Sequence, residues 1–256
     1  MKFWRETIAV ARRLAIELVR RRRSLIFWAV FPAAVLALNA TILADRAQLD
    51  RGDAYALAAP PTLVGAALFF SCLGGSVATV VSEREQQTLK RLFMSPLGGT
   101  AYFCGIVVAH AGIGFGQALL VCFVAALAGA TLAGSWLLSV GVVALSIAAY
   151  VGVGFVLGTQ LARRTEDVNA LVATFGVPLL ILGGAFLPAS LFPDSLLDLA
   201  RFNPIFHMTE ALSGAAGGAD WSEVKPHVVF LSLFAIAMTI AGWVSYRRMV
   251  AVERRL

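Results

Sequence analysis

Long apolar stretches alternate with short charged segments along the whole chain. No Asp, Glu, Lys or Arg occurs in residues 102–161, 168–193 or 226–246. A helix needs about 20 mainly apolar residues to cross a bilayer, and one charge at its centre costs about 2.5–3.5 kcal/mol even on mild insertion scales. The pattern therefore predicts membrane-spanning helices and makes buried helices of a soluble protein the weaker interpretation.

The apolar stretches divide into six predicted spans within a single domain of residues 1–256. Span 1 covers residues 25–43, span 2 opens at Pro60-Pro61 and runs to about Val81, span 3 starts near Tyr102, span 4 ends near Leu161, span 5 covers 168–187 and span 6 covers 227–246. Residues 44–60 are predicted to form a polar loop, and residues 129–135 separate spans 3 and 4. The predicted fold is an all-α membrane protein with a helical segment at 1–24, a membrane region at 25–246 and a tail at 247–256.

Residues 2–20 have the spacing of an amphipathic helix. Trp4, Ile8, Ala11, Ala15 and Leu18 recur at intervals of three and four, and the arginines fall elsewhere around the helix. An apolar stripe beside a basic face favours a helix that lies in the membrane interface. A solvated helix packed on another domain is the alternative.

Composition and charge agree with a membrane protein and predict its orientation. The residues are 59% hydrophobic and 14% charged, whereas soluble domains carry about 25% charged residues. With the N-terminus inside, the cytoplasmic segments hold 17 Lys and Arg and the external segments hold 4, while acidic residues divide 7 to 8. This bias predicts a multi-pass membrane protein with both termini in the cytoplasm, and we expect it in the plasma (inner) membrane. We interpret the net charge of +6 as topology and attraction to anionic lipids, and expect no nucleic-acid partner.

The charged segment between spans 2 and 3 carries the first functional signal. Ser82 and Glu85 match a capping box, which predicts the start of a helix, and Pro96 would end it. Leu89, Leu92 and Phe93 would form its apolar face. The pattern indicates a docking element for a soluble partner, with a solvated connecting helix as the alternative.

The second signal precedes span 6. Pro188, Pro193 and Pro204 exclude a single long helix and leave short, partly apolar helices predicted at 194–202 and 205–212. Such helices are too short to span and are typical of re-entrant or interfacial segments. An ordinary external loop is the alternative.

Two sequence segments resemble those of a known family. The first is the charged run from Glu83-Arg84-Glu85 through Thr88-Leu89 and Arg91-Leu92 to Ser95-Pro96-Leu97; the second combines the Gly-rich run 178–188 with Phe192-Pro193 and Asn203-Pro204-Ile205. Together they resemble ABC-2 type permeases, the six-span membrane subunits of ATP-binding-cassette exporters.

The resemblance implies both a mechanism and partners. Residues 2–20 would be the connecting helix, residues 82–97 would supply a cytoplasmic coupling helix that sits on a separate ATPase subunit, and residues 187–213 would fold back into the outer leaflet. Two ATPase copies and a second permease, expected to be an identical copy, would complete the transporter among membrane lipids. This chain would not be an enzyme and would bind no cofactor, since ATP and Mg²⁺ would be bound by the partner.

The candidate site residues fall into two groups. The ATPase-coupling group is Glu83, Arg84, Glu85, Thr88, Leu89, Arg91, Leu92 and Pro96; the outer-gate group is Phe186, Pro188, Phe192, Pro193, Asn203 and Pro204. Helical spacing assigns Glu83 and Glu85 to the ATPase groove and Arg84 to the solvent or headgroup side. No catalytic or metal-binding residue is expected.

Other functional classes have weaker support. The chain has no Walker phosphate-binding loop, and Gly112-x-Gly114-x-Gly116 lies in an apolar span, where glycines favour close helix packing. An ion-coupled carrier would need charged groups within spans, and an intramembrane lipid-modifying enzyme would need a cluster of catalytic side chains. His110 is expected to be a packing residue, and His207 with Glu210 is a weak metal pair. The charge-free spans favour an amphiphilic or lipid-like substrate.

Overall fold

The computed structural model describes residues 2–20, 22–86, 97–131, 133–186, 189 and 192–253, and this part of the chain is helical without strands. The helices are α1 (Lys2–Arg20), α2 (Arg22–Ala47), α3 (Arg51–Glu85), α4 (Gly99–Leu127), α5 (Trp136–Leu161), α6 (Thr165–Leu182), α7 (Asp194–Ala200), α8 (Pro204–Gly217) and α9 (Trp221–Glu253). Six of them, α2 to α6 and α9, are long and apolar enough to cross a membrane. The predicted all-α fold with six spans is confirmed.

Helix α3 forms the centre of the bundle. Of its most apolar window, 78% is buried, compared with 17% for the corresponding windows of α2, α6 and α9. Its middle stretch, Leu63–Gly74, is wound as a π-helix, in which the Gly75 N–H reaches the carbonyl oxygen of Phe70, five residues earlier. The wider turns present Val64, Leu68 and Cys72 to the core, where they are fully buried.

The prediction of a polar loop over residues 44–60 is wrong, because α3 begins within it. Only residues 48–50 separate α2 from α3, and Pro60 and Pro61 lie inside α3 instead of opening it. Proline within a helix removes a backbone hydrogen bond, which is why the sequence predicted a helix start there. Packing outweighs this cost, because Ala54 and Ala58 in the preceding turns are buried.

The prediction that Ser82 and Glu85 form a capping box at the start of a new helix is wrong. Ser82 lies inside α3, which continues without a break to Glu85. The Ser82 hydroxyl accepts a hydrogen bond from the Gln86 side chain at 3.0 Å, so it does not cap a new helix. A Ser-x-x-Glu pattern is also compatible with the last turn of a helix that is already formed, and here the long apolar helix supplies that context.

Glycines bring α5 and α9 into close contact. A Cβ on Gly152 would lie 2.6 Å from the backbone carbonyl atoms of Met238, and one on Gly242 would lie 2.9 Å from the Gly152 oxygen. The expected close packing through small residues also holds for Gly114, where a Cβ would meet Ile147 at 2.6 Å. It fails for Gly112 and Gly116, since nothing lies within 4 Å of a Cβ there.

Helix α1 packs along α4, and the face that it buries differs from the predicted apolar stripe. Thr7, Val10 and Leu14 form the buried face together with Ala11. Trp4 and Ile8, which the sequence placed in the apolar stripe, are 64% and 60% exposed. An exposed apolar face beside exposed arginines fits a helix at a membrane surface.

The two ends of the bundle differ in character. The end that carries α1, Glu85, the 162–164 connection and the last turns of α9 is here called the basic end. At the opposite end, the Gly134 N–H donates to Ala216 O at 3.0 Å and holds the α4–α5 connection against α8. The short helices α7 and α8 lie at this opposite end and fit the predicted re-entrant segment. Helix α6 starts and ends earlier than predicted, and α9 extends beyond span 6 at both ends.

Candidate functional site

The last turn of α3 places three consecutive charged side chains at the basic end. Glu83, Arg84 and Glu85 each contact a different part of the chain. We call these three residues the clasp. Consecutive residues of a helix point about 100° apart, so one turn reaches three neighbours.

Glu83 forms an ion pair with Arg13 of α1. The Glu83 side chain is 8% exposed and the Arg13 side chain is 37% exposed. Glu83 Oε2 and Arg13 Nε are buried without a hydrogen-bond partner among the described residues. A carboxylate buried to this degree needs its cation, because an uncompensated charge is costly away from water. The pair therefore fastens α1 to the end of α3.

Arg84 caps the end of α5. Its Nη1 donates to the carbonyl oxygens of Gly158 at 3.2 Å and Ala162 at 3.3 Å. The last carbonyl groups of a helix lack partners within the helix and form the negative end of its dipole. A guanidinium at this position both satisfies these acceptors and offsets their partial charge, so α5 ends against α3.

Glu85 caps the beginning of α6. Its carboxylate accepts from the Thr165 N–H at 3.1 Å and from the Thr165 hydroxyl at 2.7 Å. Asp167 accepts from the N–H groups of Arg163 and Arg164, both at 2.9 Å. Carboxylates stabilise helix N-termini, where unpaired N–H groups carry partial positive charge. Together, Arg84 and Glu85 hold the short α5–α6 connection from both sides.

A small cavity lies beside the clasp. It has a volume of about 210 Å³ and is lined by α1 and the last turns of α3, with Arg13, Glu17, Thr79 and Glu83 on its walls. Its charged lining sets it apart from the apolar bundle interior.

The rest of the predicted coupling group lies outside the described residues, namely Thr88, Leu89, Arg91, Leu92 and Pro96. The structure shows Glu83 and Glu85 in contacts within this chain and Arg84 against backbone carbonyl groups. Whether this segment contacts an ATPase stays a prediction. Sequence reasoning missed Arg13 and Thr165 as partners. Thr165 had a local signal, since Thr followed by Glu and Asp is typical of a helix start.

The outer-gate group is brought together at the opposite end, apart from Pro188, which lies outside the described residues. Asn203 Nδ2 donates to Leu179 O at 2.7 Å, and its Oδ1 accepts from the Ile205 N–H at 3.0 Å. Pro193 and Pro204 sit at the starts of α7 and α8. Asn203 is 3% exposed and therefore ties the beginning of α8 to α6.

An apolar cluster completes this region. Phe192 packs with Ala200 and Phe206, and Leu182 and Leu197 cover them. Phe186 packs separately against the main core. The described outer-gate residues thus belong mainly to two groups of contacts at the junction of α6, α7 and α8, namely the hydrogen bonds of Asn203 and the apolar cluster around Phe192.

An apolar cavity of about 270 Å³ opens between α3, α4, α5 and α8 in the half of the bundle near this junction. Leu63, Phe115 and Val143 line it together with Leu212 and Ala216 of α8. Its position makes α8 one wall of the cavity.

One histidine, His110, lies within a membrane-spanning helix and packs against α3. His110 is fully buried in α4, with Nδ1 3.2 Å from Ser71 O and Nε2 3.4 Å from the Thr79 hydroxyl. A Cβ on Gly75 would lie 2.9 Å from its ring. No group of three or more side chains that could hold a metal ion occurs in the part of the chain that the structure describes.

Comparison with known proteins agrees with this arrangement of spans. Residues 37–244 match the family of ABC-2 family transporter proteins. A search of curated proteins found no significant match. The family match covers four of the six spans, α3 to α6, completely, together with most of α9 and the C-terminal part of α2. The chain therefore belongs to the ABC-2 family of transporter membrane proteins, as the permease component of an ABC transporter.

Proposed function

We propose that this chain is the permease of an ABC exporter in the inner membrane and that it carries an amphiphilic or lipid-like substrate. Family membership implies association with an ABC ATPase. In the proposed assembly, two permease copies form the path and two ATPase subunits bind ATP and Mg²⁺. Both termini and the clasp face the cytoplasm, as the distribution of Lys and Arg supports.

The observation that carries the mechanism is the clasp. It joins the end of the central helix α3 to α1, α5 and α6. A push on residues 82–97 by a closing ATPase would thus move four helices together. Because α3 also lines the apolar cavity at the opposite end, displacement at the basic end would reach the wall of that cavity. Two packed arrangements of these helices would provide inward-facing and outward-facing states.

The substrate class is supported by the lining of the spans. None of the described residues that line the 270 Å³ cavity is charged, and an apolar wall favours a ligand with an acyl or aromatic portion. ATPase activity that only small hydrophilic ions stimulate would contradict this part of the proposal.

The test is transport in vesicles that contain the permease with its ATPase. The probe is a fluorescently labelled phospholipid, whose movement between leaflets is read by quenching with dithionite. Glu85→Lys breaks the contact with Thr165 and places a cation beside the helix start. We expect lipid movement per ATP hydrolysed to fall at least tenfold, because the loss of a charged contact worth about 1.4 kcal/mol corresponds to a factor of ten.

The matched control is Asp198→Lys, which breaks an exposed ion pair with Arg201 at the opposite end. This variant should transport normally. If Glu85→Lys retains both ATP hydrolysis and its coupling to transport, the clasp does not transmit force. If the wild-type complex moves no lipid or amphiphilic probe, the proposed substrate class is wrong.

A further inference from the structure

Two histidines meet at the opposite end of the bundle, between α8 and α9. His207 of α8 and His227 of α9 have their Nδ1 atoms 3.0 Å apart. Their ring centroids are 5.0 Å apart, at an interplanar angle of 47°. This is hydrogen-bond distance, so one Nδ1 must carry a proton and the other must present a lone pair.

A backbone carbonyl determines which ring is the donor. His207 Nε2 lies 2.9 Å from Arg201 O. A carbonyl oxygen only accepts, so Nε2 of His207 carries the hydrogen, and in the neutral ring Nδ1 has the lone pair. His227 must then carry its hydrogen on Nδ1. We assign His207 as the Nε2–H tautomer and His227 as the Nδ1–H tautomer.

The contact tolerates one added proton but not two. With one, His207 can donate from Nδ1 if His227 shifts its own hydrogen to Nε2, so the hydrogen bond persists. With two, both Nδ1 atoms carry hydrogens and neither can accept. The two rings are then cations in direct contact, which repel each other.

The surroundings offer little to offset a second charge. Phe230 stacks on His207 with ring centroids 3.8 Å apart, and the Phe206 ring lies 5.5 Å from His207 and 5.7 Å from His227. The Arg201 guanidinium pairs with Asp198 at 3.3 Å. Within the described residues, no carboxylate is hydrogen-bonded to either imidazole ring.

Other titratable groups lie near on both helices. Glu210 follows His207 by one turn of α8, and burial raises the pKa of this carboxyl. Glu223 and Lys225 lie in the first turns of α9, close in sequence to His227. Glu210 is the group whose titration could be mistaken for that of the histidines, so it needs its own control.

We propose that the His207–His227 contact is a proton-operated latch that holds α8 against α9 and releases it when both rings are protonated. Burial lowers the pKa of His207, so the folded state favours the neutral ring. The stabilisation is therefore complete above the ordinary histidine pKa of about 6.5 and is lost as the pH falls below that value. Released α8 would loosen one wall of the apolar cavity, so acidity on this side would change access to it.

The test measures backbone hydrogen exchange of α8 in the full chain in lipid nanodiscs, at pH 7.5 and pH 5.0, corrected for the intrinsic effect of pH on exchange. We expect protection of the 204–217 amides to fall at least about tenfold at pH 5.0 in the wild type. His227→Asn keeps a donor near the Nδ1 position but cannot become a cation. In this variant the protection should not depend on pH.

Glu210→Gln is the control and should respond to pH as the wild type does. A pH response that survives in His227→Asn, or that disappears in Glu210→Gln, would overturn the latch. The wild-type chain provides a second measurement, because it has only three histidines. Nitrogen chemical shifts at pH 7.5 should show an Nδ1–H tautomer at His227 and an Nε2–H tautomer at His207. Any other pair of tautomers would contradict the assignment. This measurement uses the wild-type chain and therefore holds even if the His227→Asn variant fails to fold. Neither readout depends on ATP hydrolysis or transport, so it can fail without affecting the proposed function.

Discussion

Single atoms decide how closely α5 and α9 approach each other. Gly152 faces the backbone of Met238, whereas Gly141 of the same helix has nothing within 4 Å of a Cβ. These two glycines therefore separate the effect of helix propensity from the effect of packing.

Gly152→Ala should destabilise the protein by about 1–3 kcal/mol, because the added methyl group overpacks a backbone contact. Gly141→Ala should be neutral or stabilising by up to about 1 kcal/mol, since alanine favours helix more than glycine does. The measurement is unfolding by denaturing detergent from mixed micelles, followed by circular dichroism. Equal effects of the two substitutions would show that α5 and α9 do not meet at Gly152.

The Glu83–Arg13 pair makes a second prediction at this scale. Glu83→Gln should reduce the free energy of unfolding by about 1–3 kcal/mol, below the full cost of a deeply buried pair because Arg13 is partly exposed to solvent. Removing both charges with Arg13→Gln should cost less than the sum of the single changes. The same detergent titration measures this, and additive losses would mean that the two side chains do not interact.

Sequence reasoning located the clasp but not its contacts. Glu83, Arg84 and Glu85 stood out because charges interrupt apolar spans, and Asn203 and Pro204 stood out because they match the family segment and Pro204 breaks a long helix. Arg13 could not be chosen over Arg12, since both lie on the same basic helix and only the packing of α1 on α4 turns one of them toward Glu83. His227 was missed for a similar reason, because its partner lies 20 residues earlier on another helix.

At the scale of helices, the sequence predicted the interiors of the spans better than their ends. Apolar length identifies a span, but its ends depend on caps supplied from elsewhere in the chain. Pro60 and Pro61 illustrate this, since local preference ended a helix that tertiary packing continues. The π-helical stretch of α3 had no signal in the sequence, because its residues are ordinary apolar ones.

The α5–α6 connection should open when its cap is removed. Arg84→Gln deprives Gly158 and Ala162 of their donor, so hydrogen exchange in residues 157–165 should rise about tenfold, which corresponds to about 1.4 kcal/mol of local stability. Mass spectrometry of exchanged peptides measures it. Arg163→Gln, which changes an exposed side chain in the same connection, should leave the exchange unchanged. The interpretation of Arg84 as a cap fails if both variants exchange alike.

For the whole molecule, orientation is the prediction with the widest consequences. In a chain whose Cys72, Cys104 and Cys122 are replaced by Ala, a cysteine introduced at Ala219 should react with a membrane-impermeant maleimide in intact cells. One introduced at Arg163 should react only after the cells are permeabilised, because the excess of Lys and Arg places the basic end inside. The reverse pattern would invert the proposed topology and with it the side on which an ATPase docks.

The central position of α3 also bears on how the chain is made. During synthesis α3 enters the bilayer before α5 and α8 exist to cover it, so its polar side chains first meet lipid. The Ser71 and Thr79 hydroxyls donate to carbonyl oxygens four residues earlier in the same helix, and the Ser76 hydroxyl donates to one three residues earlier. Unpaired polar groups are costly in hydrocarbon, and these are paired before α5 and α8 arrive. Helix α3 is thus suited to remain in the membrane with only part of its neighbours in place, and assembly of the bundle around it can follow the order of translation.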